Sequence, residues 1–284
     1  MKNYHHLCSK GNIVLFRDNQ DFIYFVNKFA IAVTSYKINV LAMTTMSTHF
    51  HTIIFDADNT QLDQLILKLK RVYAIYYKNK YGFGLKNMIE MTYREFSGNM
   101  SLETEMLYVL RNPMHHYVMS SPFNYTFSSA YSLYQEELTD KNVLENYISQ
   151  YRTPKQLSNR EFKSIFGVEH AAEYLKIDTK GMITFDSFIN RKLARSVWSN
   201  FKFFMNGIIS NVKDVSSQVI DQDVLDMKSD TMSDFEVCKI IDDKAAALGL
   251  KSFHFFSHEQ LEIVISILNR HHIPKSQIAR CLWL

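Results

Sequence analysis

The first 110 residues alternate between two hydrophobic periods. Where apolar side chains recur every second position the pattern predicts a strand, and where they recur every three or four positions it predicts a helix with one buried face. Asp18 or Asn19 can cap the first helix, and Asn59 or Thr60 can open the second. The predicted elements, in chain order, are strand 4–8, helix 19–36, strands 38–43 and 49–55, helix 59–81, strand 88–96 and helix 101–110.

This order of elements is typical of the α+β class. Two strand–helix crossovers that place their helices on one face of an antiparallel sheet make a ferredoxin-like α/β sandwich. We expect this fold for a first domain of residues 1–135. The other face of the sheet would stay partly open, and a functional site could lie there.

Beyond residue 135 the strand-like alternation largely disappears, so we interpret residues 136–284 as an all-helical C-terminal region. Its predicted helices are 144–151, 160–166, 168–175, 193–212, 234–248, 258–269 and 274–282. The last two resemble the first two helices of a helix-turn-helix, in which the next helix reads the major groove of DNA. The sequence stops at Leu284, where that helix would start, so the pair is either a partial, truncated helix-turn-helix or a packing pair.

Composition agrees with a globular protein that has a substantial core. Hydrophobic residues make up 46% of the 284 residues, and only eight glycines and four prolines argue against a loop-rich all-β design. Three widely spaced cysteines match neither a disulfide framework nor zinc spacing, which predicts a reducing compartment. The sequence has no signal pattern and no membrane-length apolar stretch, so we expect a soluble cytoplasmic protein without a membrane partner.

Two histidines, His49 and His51, flank Phe50 on the third predicted strand. Residues two apart share a face of a strand, so both imidazoles would project together while Phe50 anchors the opposite face. This geometry suits one divalent metal ion, although such a pair alone is more often an ordinary surface or core feature. Two other histidine pairs, at 115–116 and 271–272, are expected to be exposed loop residues.

Tyr108 and Asn112 are four residues apart on the third predicted helix and would share one face of it. An asparagine amide oxygen is a neutral hard ligand that can join two imidazoles around a metal. A tyrosine, with a pKa of about 10, is a poor nucleophile unless a bound metal polarises the phosphate that it attacks. The structural alternatives are a packing role for Tyr108 and a helix C-cap role for Asn112 before Pro113.

A net charge of only +3 does not by itself indicate a nucleic-acid partner, but basic residues are concentrated between positions 68 and 94. Cations bind backbone phosphates, and interleaved aromatic side chains can stack on unpaired bases. A solvated helix face is the alternative. The candidate DNA-binding residues are Lys68, Arg71, Lys78, Lys80, Lys86 and Arg94, and the interleaved aromatic residues are Tyr73, Tyr76, Tyr77, Tyr81 and Phe83.

The segment His49-Phe50-His51 resembles the His-hydrophobic-His motif of single-strand DNA nucleases and transposases, called the HUH motif. The segment from Tyr108 to Pro113 resembles the Tyr-x-x-x-Asn-Pro element of REP-associated tyrosine transposases. Further similar segments follow the order of that family over about residues 4 to 134. They are 4–5 with 10–12, 73–82, and 125–131. Thr48 and residues 114–117 depart from the pattern, since the family often has Asn before the first His and small and basic residues after Asn-Pro.

This resemblance implies a metal-dependent transposase that cleaves and rejoins single-stranded, hairpin-bearing DNA through a 5′-phosphotyrosine intermediate. It implies that His49, His51 and Asn112 bind Mg²⁺ or Mn²⁺ and that Tyr108 is the nucleophile. It leaves open whether the protein is a monomer or a homodimer. The alternatives are a domesticated protein that binds DNA hairpins or regulates transcription without cutting, and a nuclease of plasmid replication or mobilisation.

Overall fold

The computed structural model describes residues 3–85, 89–167, 170–210 and 230–284, and it contains a four-stranded antiparallel sheet in the order β2-β3-β1-β4. Its strands are β1 (Tyr4–Lys10), β2 (Asn39–Thr45), β3 (Phe50–Phe55) and β4 (Glu90–Phe96). The α+β prediction and its four strands are confirmed. Most strand ends differ slightly from the predicted ones, and Met88, the predicted start of β4, lies outside the described residues.

Helices α1 (Asn19–Ser35) and α2 (Asn59–Tyr81) connect these strands, and each begins at a capping side chain. Asp18 accepts a hydrogen bond from the Asp21 amide at the start of α1. Asp58 and Gln61 exchange hydrogen bonds in a capping box at the start of α2, and Gly82 ends that helix with a φ of 75°.

Both helices pack on the face of the sheet that carries Phe50. The Phe50 ring lies 4.8 Å from the Phe25 ring of α1, and Phe25 in turn lies 5.7 Å from the Tyr73 ring of α2. Aromatic side chains bury large apolar areas, so this cluster contributes much of the favourable free energy of folding on this face. The expectation of helices on one face of the sheet holds for α1 and α2.

The opposite face, which was expected to stay partly open, is covered by α3 (Asn99–His115). This helix was predicted to end at residue 110, but it continues through Pro113. A proline has no N–H and removes one helical hydrogen bond, yet its fixed φ remains compatible with a helix. The last turn closes by a hydrogen bond from the His116 amide to the Asn112 carbonyl, so Tyr108 and Asn112 lie on one continuous helix.

The remaining helices follow in chain order. They are α4 (Ala130–Leu133), α5 (Gln135–Leu138), α6 (Lys141–Ser149), α7 (Asn159–Phe166), α8 (Arg191–Arg195), α9 (Phe201–Ile209), α10 (Asp234–Ala247), α11 (His258–Arg270) and α12 (Lys275–Leu282). The prediction of a helical C-terminal region is confirmed, although the region is not all-helical, because Ile177 pairs in extended conformation with Arg152 and Ile183. Among the described residues, no helix is both long and apolar enough to cross a membrane.

Two of the predicted C-terminal helices are wrong. Residues 170–175 are irregular, because the chain there leads into extended pairing of Ile177 with Arg152 and Ile183, and residues 168–169 lie outside the described part. The predicted helix 193–212 is instead split into α8 and α9. Asn200 caps the amide of Phe203 and so starts a new helix, and Val212 is outside the described residues.

The C-terminal elements pack against the first half of the chain. One cluster of buried apolar side chains extends from Tyr4 to Ile208, and a second joins Val14 to α10, α11 and α12. The Val14 amide donates to the Arg280 carbonyl at 2.8 Å, and the indole of Trp283 donates to the Val14 carbonyl at 3.0 Å. The helix pair that resembles a partial helix-turn-helix is therefore part of a packed core.

A partly buried ion pair joins the two halves of the chain at Arg17, whose side chain is fully buried and donates to both carboxylate oxygens of the partly exposed Asp242. We predict that Asp242→Ala lowers the free energy of unfolding by about 3 kcal/mol, because it leaves a buried guanidinium without its counter-charge. Urea unfolding followed by tryptophan fluorescence measures this change. Asp243→Ala, at the exposed neighbouring position, should change stability by less than about 0.5 kcal/mol. Equal effects of both variants would contradict a stabilising role for the pair.

A second prediction concerns His254, which stacks on Phe83 and lies 3.0 Å from the Tyr77 hydroxyl. Burial and the nearby Arg17 charge lower the pKa of His254 to about 3. Below pH 6.5 the unfolded chain takes up a proton that the folded chain does not, so stability should decline as the pH falls from 6.5 towards 3. His254→Gln should reduce this decline in unfolding experiments between pH 7 and pH 4. An unchanged slope in this variant, or an equal reduction in His271→Gln, would show the prediction to be wrong.

Candidate active site

His49 and His51 lie on the face of the sheet that contacts α3, as the alternation of β3 requires. In the strand register His51 is opposite Cys8 of β1 and Thr44 of β2, which places it inside the sheet rather than at an edge. The two imidazole rings are 4.9 Å apart, and both side chains are buried. The predicted common face of the two histidines is therefore present.

Helix α3 brings the other two predicted residues to the same place. Asn112 Oδ1 lies 3.1 Å from His49 Nε2, and the Tyr108 ring lies 5.2 Å from the His51 ring. These contacts connect positions that are about sixty residues apart in the chain. The structure thus brings together all four residues that the sequence indicated as a metal site and nucleophile.

The donor set fits a divalent metal ion. Burial, followed by the neighbouring histidines, lowers the pKa of His51 well below its ordinary range, and burial with His116 lowers that of His49 to about 3. Both rings are thus neutral at physiological pH, as metal ligands must be. The 3.1 Å between His49 Nε2 and Asn112 Oδ1 is a hydrogen-bond distance, and it is also compatible with the roughly 3 Å between adjacent ligand atoms of an octahedral ion with bonds of about 2.1 Å.

Asn112 is necessary to this interpretation. Within the described residues, no group of three His, Cys, Asp or Glu side chains is placed to hold a metal ion. A site here therefore depends on the amide oxygen as its third protein ligand. The other atom of that amide, Asn112 Nδ2, is buried and has no hydrogen-bond partner among the described residues.

Thr48, which departs from the family pattern, contacts His49 directly. Its hydroxyl oxygen lies 2.8 Å from His49 Nδ1, and the side chain is fully buried. A hydroxyl can donate or accept, so it can satisfy this nitrogen in either tautomer of the ring. Thr48 thus orients His49 with Nε2 towards Asn112.

Sequence reasoning missed His6 and Glu105, which extend the site from His51. His6 Nε2 lies 3.0 Å from His51 Nδ1, and His6 Nδ1 lies 2.7 Å from Glu105 Oε2 on α3. Arg94 of β4 forms an ion pair with the other carboxylate oxygen. Burial raises the pKa of Glu105, but the hydrogen bonds from His6 and Arg94 outweigh it and lower that pKa below its ordinary value. The adjacent histidines at positions 5 and 6 were the available signal in the sequence. On a strand His6 shares a face with Cys8, and Cys8 is opposite His51 in the register.

The expectation that residues 115–116 are exposed is wrong. His116 is 1% exposed, and its ring lies 5.0 Å from that of His49. His115 is half-buried 5.7 Å from the Tyr108 ring, and burial lowers its pKa to about 4. The continuation of α3 past Pro113 carries both rings to the site. Residues 271–272 are exposed, as predicted.

The predicted DNA-binding residues are not brought together at this site. Lys68, Arg71 and Lys78 belong to α2, which lies on the other side of the sheet. Lys80, also on α2, forms ion pairs with Asp18 and Asp21 at 2.6 and 2.7 Å. Lys86 lies outside the described residues. Of the six, Arg94 alone is described on the α3 face, where it contacts Glu105.

Three of the four tyrosines of α2 have structural roles in the core instead of the expected stacking on bases. Tyr73, Tyr77 and Tyr81 are buried, so their rings offer no face to DNA. The Tyr73 hydroxyl donates to the Leu15 carbonyl, and the Tyr81 hydroxyl donates to Asp21. The apolar period of α2 thus reflects packing in the core.

No protein-family model and no curated protein matches this chain. Among solved structures, the chain is similar to a REP-associated tyrosine transposase bound to a REP hairpin, with 12% sequence identity and a TM-score of 0.38. The match covers 49% of this chain and 82% of that one. A similarity of this size carries no conclusion about activity, which therefore rests on the residues of the site.

The site also depends on a close approach of Gly11 to the segment before His49. A Cβ atom at Gly11 would lie 2.0 Å from the Thr48 carbonyl oxygen, far inside van der Waals contact. We predict that Gly11→Ala displaces Thr48 and His49 and lowers the free energy of unfolding by about 1–3 kcal/mol. Urea unfolding and the NMR signals of the His49 ring measure both effects. Gly84→Ala is the control, because no atom of the described residues, its chain neighbours aside, lies within 4 Å of its Cβ position. Equal effects of the two variants would contradict the prediction.

Proposed function

We propose that this protein is a metal-dependent DNA endonuclease and strand transferase of the transposase type, acting on single-stranded DNA that carries a hairpin. The observation that supports this most directly is the meeting of His49, His51 and Asn112 with Tyr108 on one face of the sheet. The sequence resemblance to REP-associated tyrosine transposases supports the same reaction.

In the proposed reaction the Tyr108 hydroxyl oxygen attacks the phosphorus of a phosphodiester. A bond forms between the tyrosine oxygen and phosphorus, and the bond from phosphorus to the 3′ oxygen breaks. The phenol loses its proton, and the leaving 3′ oxygen takes one up to become a free 3′-hydroxyl. The product is a 5′-phosphotyrosine, and attack by a 3′-hydroxyl in the reverse direction rejoins two strands and restores the tyrosine.

Each residue of the site has a defined part in this proposal. His49, His51 and Asn112 would hold Mg²⁺ or Mn²⁺, since neutral imidazole nitrogens and an amide oxygen are the donors that they present. The bound ion would polarise the phosphate and stabilise the negative charge that develops on it. Tyr108 is held beside His51 by α3, so nucleophile and ligands belong to one rigid arrangement.

Arg111 favours an anionic substrate at this place. It follows Tyr108 by three residues on α3, so the two share a side of the helix. Arg111 is 7% exposed, burial lowers its pKa, and its Nε has no hydrogen-bond partner among the described residues. A buried guanidinium without a counter-charge is costly, and a phosphate oxygen would satisfy it.

The nucleophile is buried, because Tyr108 is 3% exposed. A DNA strand can reach its hydroxyl only after the surrounding side chains move apart. The segment that follows α3 carries exposed apolar residues, Tyr117, Val118 and Met119, next to the buried His116. We expect the site to open at this end of α3.

We predict that Tyr108→Phe still binds a labelled DNA hairpin with a single-stranded flank but loses covalent adduct formation by more than about 1,000-fold, since the attacking oxygen is gone. The adduct is measured on a denaturing gel with Mn²⁺ present, and EDTA should abolish it. Tyr117→Phe, at an exposed tyrosine beyond the end of α3, is the matched control and should leave the adduct unchanged. Equal adduct formation by wild type and Tyr108→Phe would disprove the assignment of the nucleophile.

A further inference from the structure

The polar chain from Arg94 to His51 has a defined direction of hydrogen bonding. A guanidinium can only donate hydrogen bonds, and an ionised carboxylate can only accept them. Glu105 accepts from Arg94 at Oε1, and its Oε2 lies 2.7 Å from His6 Nδ1. The His6 Nδ1 atom must therefore carry a proton, which it donates to Glu105.

This proton determines the next hydrogen bond. We take His6 as neutral: one nitrogen of a neutral imidazole donates and the other accepts, so its Nε2 is an acceptor. It lies 3.0 Å from His51 Nδ1, which must then be the donor. A neutral His51 with its proton on Nδ1 has an unprotonated Nε2, and only an unprotonated ring nitrogen can bind a metal ion. A doubly protonated His6 would donate from Nε2 and leave the proton of His51 on Nε2, which is the outcome that contradicts the inference.

We propose that Arg94, Glu105 and His6 hold His51 in the tautomer protonated on Nδ1, so that its Nε2 is the metal-binding atom. The proposed function supplies the metal, on which this inference rests, whereas the tautomer can be measured without any reaction. His6 and Glu105 are positioning residues, because they act on the metal only through His51. Hydrogen-bond partners of this kind commonly change metal affinity by about 10–100-fold when they are altered.

The substitution Glu105→Gln tests the direction of this series of hydrogen bonds, because glutamine has nearly the same shape as glutamate. Arg94 can only donate, so the new amide must turn its oxygen towards Arg94 and its NH₂ group towards His6 Nδ1. His6 would then accept at Nδ1 and donate from Nε2 to His51 Nδ1. The proton of His51 would move to Nε2, the atom that should bind the metal, and the tautomers of both rings would be inverted.

The first measurement is the tautomer of His51 in metal-free protein, from the ¹⁵N NMR shifts of its ring nitrogens. We expect a protonated Nδ1 in the wild type and a protonated Nε2 in Glu105→Gln. The second is Mn²⁺ affinity by calorimetry, which should fall about 10–100-fold in Glu105→Gln. Glu103→Gln is the matched control: it lies on the same helix, and an amide oxygen can still accept the hydrogen bond from the Trp198 indole.

A double variant separates hydrogen-bond direction from loss of charge. In Arg94→Met combined with Glu105→Gln, the amide no longer has to face a guanidinium and can turn its oxygen to His6. We expect this variant to recover the wild-type tautomer of His51 and much of the Mn²⁺ affinity. The same loss as in Glu105→Gln alone would show that the carboxylate charge, and not the hydrogen-bond order, is responsible, and it would overturn the inference.

Other outcomes distinguish this inference from the proposed function. If the wild type binds Mn²⁺ and forms the DNA adduct, but His51 is protonated on Nε2 or Glu105→Gln binds Mn²⁺ equally well, the positioning role alone is wrong. If the wild type binds no Mn²⁺ although His51 has the inferred tautomer, the metal role of Nε2 is wrong, and the proposed function fails with it.

Discussion

The alternation of side chains along β3 is the constraint on which the rest of the structure depends. Phe50 must enter the aromatic core under α1 and α2, because that face is sealed by Phe25 and Tyr73. Successive strand residues point to opposite faces, so His49 and His51 are forced towards α3. A register shift of one residue would place the imidazoles in the apolar core and expose Phe50 to the site, and both changes are costly.

Burying two imidazoles under a helix requires partners for every ring nitrogen that cannot reach water. Thr48 satisfies Nδ1 of His49, His6 satisfies Nδ1 of His51, and Asn112 Oδ1 lies beside Nε2 of His49. Glu105 and Arg94 then continue this series of hydrogen bonds to the partly exposed strand β4. The same contacts that make burial tolerable also orient the proposed ligands, so stability and site geometry have a common cause.

The C-terminal region supports the site from outside the sheet. The Ser47 carbonyl, just before the histidine segment, accepts from the Leu15 and Phe16 amides, and its hydroxyl donates to Asp234 of α10. Arg17, which follows Phe16 on the neighbouring loop, forms an ion pair with Asp242. The loops that carry His49 are therefore anchored by helices more than 180 residues further along the chain, which gives this region a structural role in the site.

The sequence by itself determined the strands, the major helices and which residues share a face, because these follow from periods of two and of three to four residues. It thereby paired His49 with His51 and Tyr108 with Asn112. Only the tertiary structure decided that α3 continues through Pro113 to bury His116, that His6 and Glu105 complete the site, and that the basic helix α2 lies behind the sheet. Local periodicity fixes the direction of a side chain within its own element, whereas its neighbours depend on how distant elements pack.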